Sequence, residues 1–334
     1  MPAQSASPRT RHLIGYILAI AGLAWVLHDV HLGTMFASMR RIHWFWVVPA
    51  VVFDVLSYVC QGVRWRYLLR PVGPVSALQT TQAIYAGLLT NEVTPLRVGE
   101  LVRAYLVSRW AGVRFLSVVP SIAAERLFDG VWLAIAIGIA AMFVPLPRDL
   151  VVGGDILGII VIAATAWFLY LVYRRRREGA GSAGEARHEL NRPRSLARMV
   201  SQIAEGIGGI GLSRDSLTSL LLSPLILVFQ GIALWLMMVA YGFSLSVWAG
   251  MAVFLILHLG TALPNAPSNI GTYQFFCVVG LTLFGVEKSV ATGFSFVAFF
   301  LLTLPLWILG LLAIARSRMT LASIRSEIDR LLKG

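Results

Sequence analysis

Several apolar runs in this chain are long enough to cross a lipid bilayer, and nothing else limits its fold as strongly. Residues 216–241 and 289–314 contain no Asp, Glu, Lys or Arg, and 153–173 contains only Asp155. About 18 such residues suffice for a transmembrane helix. Lipid offers backbone N–H and C=O groups no partner, so each run must satisfy its own as a helix. The fold class expected is therefore an all-α polytopic membrane protein. Hydrophobic residues make up 57% of the chain and charged residues 13%, roughly half the charge of a soluble domain.

Further spans are expected at 13–27, 44–61 and 117–144. The first follows Arg9 and Arg11 with no small-residue cleavage site after it, so it reads as a retained helix. Arg174–Arg177 open a basic loop over 174–213, within which Leu196, Met199, Val200, Ile203, Ile207 and Ile210 recur at the spacing of a surface-lying amphipathic helix. A second amphipathic segment closes the chain over 317–334. The net charge of +12 matches the enrichment of cytoplasmic loops in Lys and Arg, so no nucleic-acid partner is expected. Arg9/Arg11, Arg64/Arg66/Arg70, Arg174–Arg177 and Arg316/Arg318 read as cytoplasmic, and both termini with them. Cys60, Cys277 and six scattered His show no metal or disulfide spacing, so no cofactor and no metal are expected.

Two stretches interrupt this pattern. Between moderately apolar residues 76–91 and an Arg-studded segment ending near 111 lies Asn91-Glu92-Val93-Thr94-Pro95-Leu96-Arg97-Val98-Gly99-Glu100. Pro95 and Gly99 break the helix, so 76–111 reads as a re-entrant hairpin. Such backbone is tolerable at membrane depth only beside protein or a water-filled cavity. Residues 247–285 carry a second break, with Pro264, Pro267 and Gly271 as its hinges. Pro95-x3-Gly99 recurs as Pro267-x3-Gly271, and Gly112-Val113 as Gly285-Val286. Three spans separate the hairpins, an odd number, so the two units face opposite ways. Each unit then holds three spans and one broken re-entrant hairpin, an inverted repeat of the kind transporters use.

The charges concentrate in the first unit. Arg97, Glu100 and Arg103 follow one another at i,i+3, and Glu125, Arg126 and Asp129 lie within one turn of the next span. A charge at the bilayer centre costs about 2.5–3.5 kcal/mol on insertion scales. These groups must pair with one another, line a hydrophilic cavity, or do both. The second hairpin is neutral but polar, offering Asn265, Asn269 and Gln274. Asp54 either lines the same cavity or pairs with a base such as Arg64. With Asn91 added, these are the candidate substrate-binding residues: Asn91, Arg97, Glu100, Arg103, Glu125, Arg126, Asp129, Asn265, Asn269 and Gln274. No nucleophile or metal set marks an enzyme.

Asn91-x3-Pro95-x3-Gly99-Glu100-x2-Arg103, Glu125-Arg126-x2-Asp129 and Pro264-x2-Pro267-x2-Ile270-Gly271 together resemble the lysylphosphatidylglycerol synthase transmembrane-region family. The resemblance covers nearly the whole chain. It implies a flippase-like protein moving an amphipathic or anionic envelope lipid across the bacterial cytoplasmic membrane, with membrane lipids as partners. The sequence runs only about twenty residues past its last span, so a stand-alone member without the soluble aminoacyl-transferase domain is expected, and lysyl transfer is not. Gln274 stands where relatives often carry an acid. The alternative is a non-transporting accessory subunit of a hopanoid or polyprenyl-linked biosynthetic complex, docked to an envelope-lipid enzyme. The apolar faces also permit a homo-oligomer.

Overall fold

The computed structural model describes residues 20–28, 42–94, 98–144, 213–261 and 267–317, with scattered positions within 30–40 and 152–170. The loop 174–213 but for Ser213, most of the span 153–173, and the tail beyond Ser317 lie outside the described residues, as do their expected amphipathic segments. Residues 20–27 are helical. After them come α1 (Trp44–Leu69), α2 (Ala77–Val93), α3 (Gly99–Ala111) and α4 (Phe115–Phe143). Then follow α5 (Arg214–Ala240), α6 (Val247–Thr261), α7 (Thr272–Leu283) and α8 (Lys288–Arg316), with a short 3-10 turn, Pro267–Asn269, before α7. The described residues contain no strand.

Helix length sorts these elements. Four are long and apolar enough to cross a membrane: α1, α4, α5 and α8, of 26, 29, 27 and 29 residues. The others have 17, 13, 15 and 12 residues. At 1.5 Å per residue they rise only about 18–26 Å, short of the ~30 Å hydrocarbon core. Long, short, short, long is thus followed by long, short, short, long. The α3–α4 and α7–α8 turns both use a glycine with positive φ, Gly112 at 65° and Gly285 at 78°, a backbone conformation that side chains with a Cβ resist.

The most extensive helix contact joins α1 to α5, and the two run antiparallel. At one end the His43 N–H donates to the Ala240 carbonyl at 2.8 Å. Midway the rings of Phe53 and Phe229 meet, 5.6 Å between centroids. At the other end Arg70 pairs with Asp215. Around this seam α8 packs on α2 and α4 on α6, while α2 with α3 and α6 with α7 form two close hairpins. Small residues permit the approach. A Cβ at Gly99 would lie 1.8 Å from the Gly87 carbonyl oxygen, and one at Gly62 would lie 2.1 Å from Thr81 Oγ1.

The helix of the span expected over 44–61 carries on through the basic group Arg64, Arg66 and Arg70 to Leu69, just before Pro71-Val72-Gly73-Pro74, but Arg64 does not join a cytoplasmic basic group. No Pro or turn-forming pair intervenes before Pro71, and Arg64 is buried against acids rather than set in a loop. Arg66 and Arg70 are exposed.

Candidate functional site

Two polar centres lie inside this apolar bundle. The first is built on Arg64, whose side chain is 0% exposed. Its Nη2 donates to Glu125 Oε1 at 3.0 Å and approaches Asp129 Oδ2 at 3.4 Å. Its Nη1 pairs with Asp129 Oδ1 and donates to Ser223 Oγ on α5 at 3.0 Å. Glu125 and Asp129 are i,i+4 on α4, so one planar guanidinium fork meets both carboxylates from the same helix face. Glu125 Oε2 also faces Arg103 Nη2 of α3 at 2.8 Å. The Arg103 guanidinium stacks 4.7 Å over the Trp65 ring, and Trp65 Nε1 donates to Ser121 Oγ at 2.9 Å. Further out, Arg126 pairs with Glu100 and lies 3.8 Å from Asp129.

Three arginines therefore face three carboxylates, and the node is neutral as a whole. It ties α1, α3, α4 and α5 together through side chains that apolar surroundings would otherwise expel. Burying such a set adds little net stability, because desolvation offsets the attraction, but leaving one member unpaired is costly.

The second centre is a cavity of about 200 Å³ between α1, α2, α5, α6, α7 and α8. Its polar lining is Asp54, Tyr58, Glu92, Gln230, His258, Thr261, Ser268, Asn269, Tyr273 and Thr303, and among the described residues no Lys or Arg lines it. Asp54 is 6% exposed. Asp54 Oδ2 and Glu92 Oε2 are both buried without a hydrogen-bond partner. One wall of the cavity is made where the tips of the two hairpins touch, as Ser268 Oγ donates to the Glu92 carbonyl at 2.8 Å. Ser268 and Asn269 hold positive φ there, 58° and 53°. Side chains other than Gly seldom take that conformation, and it clusters at functional positions. His258 lines the cavity and is also close enough to Asp129 for the two charges to interact.

The sequence-derived candidates distribute unevenly over these centres. Glu100, Arg103, Glu125, Arg126 and Asp129 come together in the ion-pair node, and Asn269 lines the cavity. Asn91 and Gln274 are engaged with backbone. Asn91 Oδ1 accepts the Gly99 N–H at 2.8 Å, and Gln274 Oε1 accepts the Gly271 N–H at 2.7 Å. Each thereby satisfies an N–H where its hairpin re-enters helix. Arg97, Asn265, Pro95 and Pro264 lie outside the described residues, and of Pro267 only the backbone is described. Arg64 and Glu92 are absent from the candidate set. For Arg64 the missed signal was an unbroken helical run from Trp44 to Pro71. For Glu92 it was an acid one residue before Val93, in a segment otherwise without charge from Ala77.

Apolar spanning helices around a polar, partly ionic interior define a multi-span membrane protein. The chain belongs to the lysylphosphatidylglycerol synthase TM region family, whose pattern matches residues 12–314. A UPF0104 membrane protein of Methanothermobacter thermautotrophicus is 24% identical over 269 residues, which cover 76% of this chain and 78% of that one. Another, from Methanocaldococcus jannaschii, is 20% identical over 84% of this chain and 85% of its own. The glycosyltransferase AglD of Haloferax volcanii is 36% identical over 101 residues, 28% of this chain and 16% of AglD.

Proposed function

We propose that this protein moves an amphipathic envelope lipid across the membrane, passing its headgroup through the cavity between the two hairpins. The observation that carries the proposal is the cavity itself, with polar side chains from six helices and two buried carboxylate oxygens lacking partners. Ionisable groups inside a membrane protein mark substrate or ion pathways far more often than they serve packing alone. Long–short–short–long helix order in both halves and antiparallel α1 and α5 support an inverted repeat. Short α2/α3 and α6/α7 pairs whose tips meet support re-entrant hairpins entering from opposite faces, the arrangement in which broken helices build a transporter's central site. The described lining favours a neutral, hydroxyl-rich or zwitterionic headgroup over an anionic one, because its described residues include two acids and neither Lys nor Arg. In this reading the protein performs no chemistry of its own, and the Arg174–Arg177 side and both termini face the cytoplasm.

Movement of headgroup-varied fluorescent lipids in reconstituted vesicles, read by a membrane-impermeant quencher, tests this. Wild type should accelerate movement of at least one headgroup class. Thr303→Trp, which fills the cavity, should slow it without changing the protein's size-exclusion profile. Folded protein that moves none of them would end the proposal. The segment shared with a glycosyltransferase supports a second reading, an accessory subunit of a lipid-linked biosynthetic complex. Stoichiometric copurification with such an enzyme, together with undiminished function of Thr303→Trp, would favour it.

A further inference from the structure

We propose that Asp54 and Glu92 form a proton-binding site in the cavity, separate from the ion-pair node, and that this site couples lipid movement to a proton gradient. The coupling half rests on the transport reading above; the proton site stands on geometry alone. Asp54 is more than nine-tenths buried and lines the cavity with its Oδ2 unpartnered; Glu92, half-buried, reaches the same cavity from α2, its carboxylate interacting with Ser268 and Trp307 while its Oε2 stays buried without a hydrogen-bond partner. Two carboxylates lining one small cavity, with no guanidinium or ammonium among its described residues, each bear the desolvation cost of a buried charge and cannot both stay charged cheaply. Arg64, Arg103 and Arg126 already hold carboxylates of the node.

Of the described groups around Asp54 only His258 can carry positive charge, and it also interacts with Asp129 of the node, which leaves a proton on the carboxylate itself as the counter-charge. Tyr58 stands on the same helix, Tyr85 faces it from α2 and Tyr273 from α7, and Glu92 of α2 and His258 of α6 line the same cavity. From α5 and α8 the lining contributes no titratable group. Protonation takes one proton from water onto a carboxylate oxygen and returns it on release, with no other bond changed. His258 lies between this pair and Asp129. Filling or emptying the site can therefore act on the Arg64 node that joins four helices. Acid and His chains of this kind carry protons in pumps and transporters.

Difference infrared spectroscopy of the full chain in lipid bilayers tests the site through the C=O stretch of protonated carboxyl groups. Wild type should show such a band near neutral pH that fades as pH rises. Asp54→Asn and Glu92→Gln should each weaken it, and the double variant should lose it. An unchanged band in the double variant, or none in wild type at any pH, overturns the site. A band that responds to sodium at fixed pH overturns it in favour of a metal cation. In vesicles, an imposed pH gradient should bias lipid movement by wild type, and inverting the gradient should invert the bias. Gradient-insensitive movement by wild type overturns the coupling. An infrared titration with no lipid movement at all defeats the transport reading and leaves the proton site standing.

Discussion

Arg64 holds two carboxylates of α4 and a serine of α5 with one guanidinium, so its removal strands more charge than it deletes. Arg64→Met should cost about 3–5 kcal/mol, the usual penalty for breaking a buried pair from one side. The double variant Arg64→Met, Asp129→Asn should recover much of that loss, because Glu125 still holds Arg103, Glu100 still holds Arg126, and no uncompensated ion remains. Reversible unfolding in mixed micelles measures both, and a double variant no more stable than the single one would contradict the account. Arg64→Lys should fall between, since one ammonium cannot reproduce the fork. The node's remaining members were legible in the sequence because charges inside an apolar run must find partners. Arg64 was not, because an arginine at the end of an apolar run is equally well explained as a topology signal. Asn91 and Gln274 were legible as polar but not as caps, since their partners are backbone N–H groups of hinges.

At the scale of the element, the hairpins depend on backbone proximity that only glycine allows. Gly99 faces the Gly87 carbonyl, and its own N–H is held by Asn91, so the first turn of α3 is fixed to the last turns of α2. Gly99→Ala should force these helices apart and destabilise the protein by about 1–3 kcal/mol, the range for overpacking a tight contact. Gly138→Ala on α4, where a Cβ meets nothing within 4 Å, should be neutral or mildly stabilising, as expected for an exposed helix glycine. Unfolding midpoints of the two variants side by side check the contrast. If both shift alike, helix propensity rather than the α2–α3 contact governs the site. The hairpins' existence could be read from Pro and Gly between short apolar runs. Their meeting could not, because the Ser268–Glu92 contact joins residues 176 apart in sequence.

For the whole molecule, the α1–α5 seam turns an internal likeness of sequence into a statement about the two membrane faces. The end of α1, with Arg70, sits beside the start of α5, with Asp215, and the start of α1 sits beside the end of α5. A 26-residue helix rises about 39 Å, more than the hydrocarbon thickness. With α1 and α5 both spanning, as the transport proposal has them, the α1–α2 connection around Ser76 and the α5–α6 connection around Ser246 are expected on opposite faces. Sequence matches at Pro95/Pro267 and Gly112/Gly285 suggested two units but fixed no orientation between them; the odd number of spans supplied that only by counting. Single cysteines at Ser76 and Ser246, in a background with Cys60 and Cys277 replaced, make the test direct. In sealed, uniformly oriented vesicles a membrane-impermeant maleimide should label one position from outside and the other only after permeabilisation. Labelling of both from the same side would reverse the relation between the halves. The two hairpins would then enter from one face, and the cavity they share would not open alternately to both.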